Sequence, residues 1–336
     1  MSITDTLGRR PALPPRLVML ASFAGTSVVN YGFGLASGWL LLPADFGLLA
    51  FAQTVLLIAG LALNSGFAWS LTKESVGVDE ARRGALVRGA AVANLLLALA
   101  IAGAITLLYV FGPFRNGLET TMILVLVILA LPPLAFIAIA RAAAQGAERF
   151  GLVALLQIGE VGSKAIAGTG LILAGLGPAG AVAGFVVGGL VAGLAGIWVV
   201  AGKLQVRLRG PLALGAVRKA APIFGALLGT ALLLNLDILL LKILVSGNRA
   251  VAGHYQAAIV LANTPYFLTT AMIPVLFTQA TRARALEHTA ATVGEALRWV
   301  LLLAIPIEIG VLIAPEAALA LLFPDEYRPG QLVIRS

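Results

Sequence analysis

Apolar residues in this chain do not alternate with polar ones. They come in unbroken runs of about twenty or more, separated by short polar stretches. As a helix, such a run is long enough to cross a hydrocarbon core of roughly 30 Å. The pattern predicts nine spans, at 17–41, 46–69, 86–111, 120–144, 152–176, 181–201, 220–244, 254–277 and 296–322. Pro43 to Gly47 and Gly177 to Gly180 read as tight turns, since Pro and Gly punctuate there. The polar intervals are 73–83, 112–119, 145–151, 203–219, 281–295 and 323–330, and a further apolar segment begins as the chain stops at Ser336. Six spans precede the basic linker 203–219. The organisation expected is a six-helix lobe over 1–202, the linker, and an incomplete second lobe over 220–336 with about three helices and the start of a fourth.

Composition agrees with an all-α, polytopic transmembrane helical bundle. The chain is 60% hydrophobic and 11% charged, with a mean hydropathy of +1.00, against about 25% charged residues in soluble domains. A membrane β-barrel would show short alternating segments instead. The run 17–41 is too long for the apolar core of a signal peptide and lacks an obvious cleavage site. Cysteine is absent and there are two histidines without an H-E-x-x-H pattern, so neither a disulfide framework nor a thiolate or zincin metal site is expected.

The net charge of +8 has a topological reading. Loops on the side of the N-terminus hold seventeen of the 23 Lys and Arg residues, and the opposite loops hold only Arg115, Arg249 and Arg328. Cytoplasmic loops carry the cationic excess, so the N-terminus is expected in the cytoplasm. No nucleic-acid partner is implied. The exterior loops are all short.

An internal repeat is visible in topology. Asp45 to Ala52 opens span two and Ala252 to Ala258 opens span eight, with Gly47 and Gly253 at like positions, 206 residues apart. Both halves would start on the same side, as in parallel repeats about an axis along the membrane normal.

Four short motifs carry a family resemblance. Leu42-Pro43-Ala44-Asp45-Phe46-Gly47-Leu48-Leu49-Ala50 resembles the Pro/Asp/Phe/Gly turn of the polysaccharide biosynthesis (lipid-linked oligosaccharide flippase) family. Gln145-Gly146-Ala147-Glu148-Arg149-Phe150-Gly151 is similar to its Q-G-x-E-R/K-F loop. Leu236-Asp237-Ile238-Leu239-Leu240-Leu241 is similar to its D-x-x-x-L/I in span seven, and Gly253-His254-Tyr255-Gln256-Ala257-Ala258 to its G-x-Y-x-x-A. The order and spacing match over nearly the whole chain. The resemblance implies membership of the multidrug/oligosaccharidyl-lipid/polysaccharide exporter superfamily. It further implies two pseudo-symmetric lobes around a central cleft, and transfer of an isoprenoid-diphosphate-linked oligosaccharide to the outer leaflet of a bacterial plasma membrane. The family has twelve to fourteen spans, so the second lobe here reads as truncated. Implied partners are membrane lipids, a coupling proton or sodium ion, and a polysaccharide polymerase and glycosyltransferases. No cofactor is implied.

Ionisable groups inside apolar runs are costly and mark candidate pathways. Lys164 lies about 12 residues into span five, roughly 18 Å deep at 1.5 Å per residue. Glu160 stands four residues before it, the favourable order for a helical ion pair. Lys164 reads either as a diphosphate contact held by Glu160 or as half of a structural pair. Arg141 either snorkels to the cytoplasmic interface or receives the diphosphate at the inner entrance. Asp237 is a cation or proton site, or an interhelical hydrogen bond. Lys242, five residues on, is expected to snorkel. Glu308, after Pro306, is a candidate coupling-proton site. Asn30, Gln157 and Asn235 are pathway amides, or interhelical ties like Asn64 and Asn263. The glycines of span six, Gly184 to Gly196, read as close-packing positions rather than phosphate cradles. Prolines 132, 133, 265, 274 and 306 supply rocking bends or static kinks.

Two other functions compete. A drug or organic-cation antiporter of the same superfamily should prefer carboxylates over amines in its cleft, and the charges here are mixed. A membrane sugar polymerase or glycosyltransferase would need a long outer loop or a D-x-D motif on a soluble domain, and neither is present.

Overall fold

The computed structural model describes residues 15–203, 216–245, 248–264 and 286–335, and every regular element among them is helical. The first part runs α1 (Pro15–Leu40), α2 (Pro43–Ser65), α3 (Phe67–Glu74), α4 (Glu80–Phe111), α5 (Phe114–Leu118), α6 (Thr121–Gly146), α7 (Phe150–Leu171) and α8 (Gly177–Ile197). After the linker come α9 (Ala216–Leu244), α10 (Val251–Ala262), α11 (Leu286–Ile313), α12 (Pro315–Leu322) and α13 (Gln331–Arg335). The all-α, polytopic bundle expected from the hydropathy is what the chain forms.

Among the described residues, five stretches are long and apolar enough to cross a membrane: Leu17–Leu40, Pro43–Glu74, Arg82–Phe111, Thr121–Gly146 and Phe150–Ala201. The last is 52 residues long and folds back on itself. A short π-helical segment, Ile172–Leu176, carries the reversal, with Gly175 at φ 88° and Gly177 at φ 53°. Glycine enters this left-handed region without a Cβ penalty. The turn therefore lies at Gly175 to Gly177, and the expected turn residues Gly177 to Gly180 already belong to α8. The two arms run antiparallel at backbone contact. A Cβ added at Gly184 would stand 2.6 Å from Gly168 Cα, and one at Gly188 would stand 2.8 Å from Lys164 Cβ. The glycines of span six do pack helices, as small residues in membrane interfaces do. Gly189 on α8 faces Pro133, and α6 continues as one helix through both prolines.

Three further expectations change. Pro43 to Gly47 is not a turn. The connection is Leu41-Leu42, and Pro43 enters at the start of α2, where its missing N–H leaves no helical bond unmade. Asp45 falls in the first turn, the favourable end of the helix dipole for an anion. Span nine is not one continuous helix: α11 and α12 are bent by 110° at Ala314. Ala314 has φ −130° and ψ 60°, and the residue before a proline is driven out of the helical region. Pro306 sits inside α11 without ending it. Span eight begins earlier than expected, at Val251, and its remainder from residue 265, with Pro265 and Pro274, lies outside the described residues, as do linker residues 204–215.

α2 is the central helix. In its most apolar stretch 72% of positions are buried, against 17% for α1 and 22% for α4. It packs against α6, α8, α9 and α10, and is apolar around most of its circumference, as a largely enclosed helix is. Leu49, Phe51, Leu63, Val127 and Leu131 are closed off completely at its contacts. Large apolar side chains elsewhere point outward, such as Phe111, Ile166 and Leu233. In a bilayer these face acyl chains, so the protein is a multi-pass membrane protein.

Candidate functional site

α1, α6, α7 and α8 meet in a polar cluster within the apolar bundle. Lys164 on α7 donates its ammonium to the side-chain oxygen of Asn30 on α1. The same ammonium lies 4.8 Å from the ring centroid of Phe185 on α8 and 5.6 Å from that of Phe33 on α1. These two rings meet edge to face, with centroids 6.3 Å apart. A cation over aromatic faces is attracted by their quadrupoles, more so out of water. An ammonium with one amide acceptor and two π faces is stabilised without a carboxylate partner.

The expected Glu160–Lys164 pair does not form. Glu160 directs its carboxylate to Arg141 on α6, with Nη1 to Oε2 at 2.9 Å. Arg141 also donates to the Asn64 side-chain oxygen at 3.3 Å. The planar guanidinium bridges two helices at once, which a flexible ammonium one turn away does less well. Arg141 therefore neither snorkels nor stands free. It ties α6 to α7 and to the end of α2, and lines a cavity of about 270 Å³ with Asn64, Gln145, Gln157, Phe23 and Trp69, among others. Gln157 donates to Thr26 on α1 at 3.2 Å, and the Thr26 hydroxyl donates in turn to the backbone carbonyls of Ser22 and Phe23 one turn back. Asn30, Arg141, Gln157, Glu160 and Lys164 are thus brought to one region.

Asp237, Asn235 and Glu308 stand elsewhere. α9, which carries Asn235 and Asp237, packs against α2, α3, α5 and α10, and α11, which carries Glu308, against α10, α12 and α13. Asp237 accepts a hydrogen bond from Tyr255 on α10 at 2.5 Å. It joins two motif residues that the sequence offers separately, the Asp of span seven and the Tyr that opens span eight.

The sequence reading missed a second charged centre. Lys242 does not snorkel. Its side chain is 3% exposed, and its ammonium is 2.7 Å from Glu119 Oε1 at the end of α5. Glu119 Oε2 lies 3.6 Å from Arg249. Glu119 has φ 56°, a region disfavoured by about 1–3 kcal/mol for a residue with a Cβ. Nearby, Tyr327 donates to the Leu41 carbonyl at 2.8 Å, and Trp39 to that of Leu322 at 2.8 Å. Phe46, Phe323 and Tyr327 pack their rings together. These contacts close the end of the molecule that carries the α1–α2 turn. The only sequence signals were the exterior arginines and the G-x-Y motif.

A family model described as polysaccharide biosynthesis protein matches residues 26–278. No curated protein sequence matches the chain. Three solved structures are similar over almost all of it. An inward-facing multidrug resistance MATE family transporter of the MOP superfamily gives a TM-score of 0.64 at 14% identity, covering 95% of this chain and 79% of that one. An outward-facing one gives 0.57 at 16%, covering 96% and 77%. A MOP superfamily transporter from Pyrococcus furiosus, described as having a binding pocket of reversed polarity, gives 0.53 at 14%, covering 97% and 80%. At such identities the likeness speaks for the fold alone, while the family match spans most of the chain. This chain belongs to the polysaccharide biosynthesis protein family and has the fold of the MOP superfamily transporters.

Proposed function

We propose that the protein is a carrier that moves an isoprenoid-diphosphate-linked oligosaccharide from the cytoplasmic to the outer leaflet of a bacterial plasma membrane by alternating access. Residues 1–202 and 220–336 are its two lobes, joined by the basic linker 203–219, with the N-terminus in the cytoplasm. A proton or sodium ion drives the cycle, with Asp237 and Glu308 as its candidate sites. Polymerase and glycosyltransferases supply and consume the cargo.

The observation that carries this reading is the ammonium of Lys164, held by Asn30, Phe33 and Phe185 without a carboxylate partner. A polar sugar head cannot enter hydrocarbon with its hydroxyls unsatisfied. It needs hydrogen-bonding groups on the way, and its diphosphate needs a cation that is not already neutralised. Asn30 and Gln157 offer the former and Lys164 the latter. Arg141, paired with Glu160 beside the 270 Å³ cavity, stands where an anion would arrive first.

Export of drugs, here taken as organic cations, is the second reading, since two of the similar structures are named as multidrug resistance transporters. It is weaker because the aromatic pair that would receive a cation already holds one, and Glu160 is engaged by Arg141. The test is restoration of surface polysaccharide in a bacterium lacking its own exporter, comparing wild type with Lys164→Ala at equal membrane levels. Restoration by wild type alone is expected. Restoration by both would remove Lys164 from the pathway, and by neither would reject the cargo.

A further inference from the structure

Cations are scarce on the side that the Lys and Arg distribution assigns to the exterior, yet they converge there. Of its three arginines, Arg115, Arg249 and Arg328, two line a single cavity between α5 and the end of α9. The cavity is about 220 Å³ and is completed by Asn116, Glu119, Lys242 and Val245. It has about seven times the ~30 Å³ share of a water molecule in the liquid.

The lining is not neutral. Glu119 is its one carboxylate, and both its oxygens are committed, one to Lys242 and one to Arg249. Arg115, one turn before Glu119, has no side-chain acceptor among the described residues. Three cations line the cavity against the Glu119 carboxylate, with Asp45 close to the Glu119–Lys242 pair, so the balance around it stays positive, and the Lys242 charge is buried, where water screens it least. Two guanidinium forks beside an ammonium and the Asn116 amide suit a tetrahedral oxyanion, which accepts several charge-assisted hydrogen bonds at once.

We propose that this cavity binds a phosphate-class anion, a mono- or diphosphate group, between Arg115, Lys242 and Arg249. The group is either the headgroup of an anionic lipid or a diphosphate arriving by another route. An anion here draws Arg249 and Lys242 away from Glu119 and so loosens the tie between α5 and α9. The proposal stands on this cavity and does not depend on the cargo named above.

The test uses the full chain in nanodiscs, in a Lys164→Gln background so that the inner cation does not contribute. Inorganic pyrophosphate is titrated calorimetrically in phosphatidylcholine discs, and retention of phosphatidylglycerol is read by native mass spectrometry without pyrophosphate. Because Arg115 and Arg249 are both exposed, the R115Q/R249Q variant is expected to keep its elution profile and melting temperature. It should bind pyrophosphate about tenfold more weakly or worse, the loss of one charge-assisted bond or more. R328Q, outside the cavity, should leave binding unchanged. Loss of phosphatidylglycerol retention alone in R115Q/R249Q identifies the lipid headgroup as the occupant and supports the site. If neither probe separates R115Q/R249Q from its parent, or R328Q weakens binding equally, the site does not exist.

Discussion

Gly47 on α2 and Gly253 on α10 lie backbone against backbone. A Cβ added at Gly47 would stand 2.7 Å from the amide nitrogen of Gly253, and one at Gly253 would overlap the Pro43 carbonyl. These are the two residues that the 206-residue shift pairs. In a parallel repeat, residues that are equivalent and also touch must lie at the pseudo-symmetry axis. Only glycine permits the approach on both sides, so Gly253→Val should destabilise the closed end by about 1–3 kcal/mol, as overpacking does. Thermal unfolding of the purified protein checks this; an unchanged melting temperature would show that the contact is not tight.

Lys242 and Glu119 make a buried pair across α9 and α5. Lys242→Met leaves Glu119 with only the longer contact to the exposed Arg249, so it should cost about 1.5–3 kcal/mol, as loss of a charge-assisted hydrogen bond does. Lys242→Met with Glu119→Leu should recover much of that. Denaturation of the four members of the cycle measures the coupling, and additive losses would contradict it.

Tyr327 is buried and donates to the Leu41 carbonyl. Burial, then the nearby Asp45 and Glu326 carboxylates, push its phenol up from the usual tyrosine range. A raised folded-state value means that its contribution is whole below the unfolded pKa, near 10, and is lost as pH rises above that. Tyr327→Phe should cost about 1 kcal/mol at neutral pH and flatten the alkaline part of the stability profile. Identical alkaline profiles for the two proteins would refute the assignment.

Gly188 on α8 faces the Lys164 backbone. Gly188→Leu should push α7 from α8 and displace the ammonium from the Phe185 ring. Export should fall as far as in Lys164→Ala, while Phe185→Leu, which removes one π face worth about 0.5–2 kcal/mol, should lose less. Full export by Gly188→Leu would show that the position of Lys164 does not matter.

The chain contains no cysteine. Glu119→Cys with Lys242→Cys can therefore report closure without background. Because the contact spans two long side chains, a short bifunctional thiol reagent rather than a direct disulfide joins the pair. Cross-linking should be strong in the resting protein and fall when the closed end opens. Its insensitivity to cargo would argue against opening at that end.

Much of the architecture was legible in the linear chain, because a helix in lipid must satisfy its own backbone bonds over a fixed thickness and long apolar runs have no other solution. Helix positions and the glycine stripe of α8 could be read that way, and Lys164, Asn30, Gln157, Glu160 and Arg141 could be singled out as polar groups in apolar runs, which the fold brings to one region. Partner choice could not. Local spacing favoured Glu160 with Lys164, but α6 brings Arg141 closer in space, and two aromatic rings far apart in sequence replace the carboxylate. Lys242 looked like a residue at a membrane edge until α5 placed Glu119 over it. The bend at Ala314 and the turn at Gly175 moved two boundaries, since hydropathy registers depth in oil but not backbone dihedrals. Apolar length, written residue by residue, was enough to make this a multi-pass helical membrane protein; which charge meets which depends on how the helices come together, and no single helix carries that information.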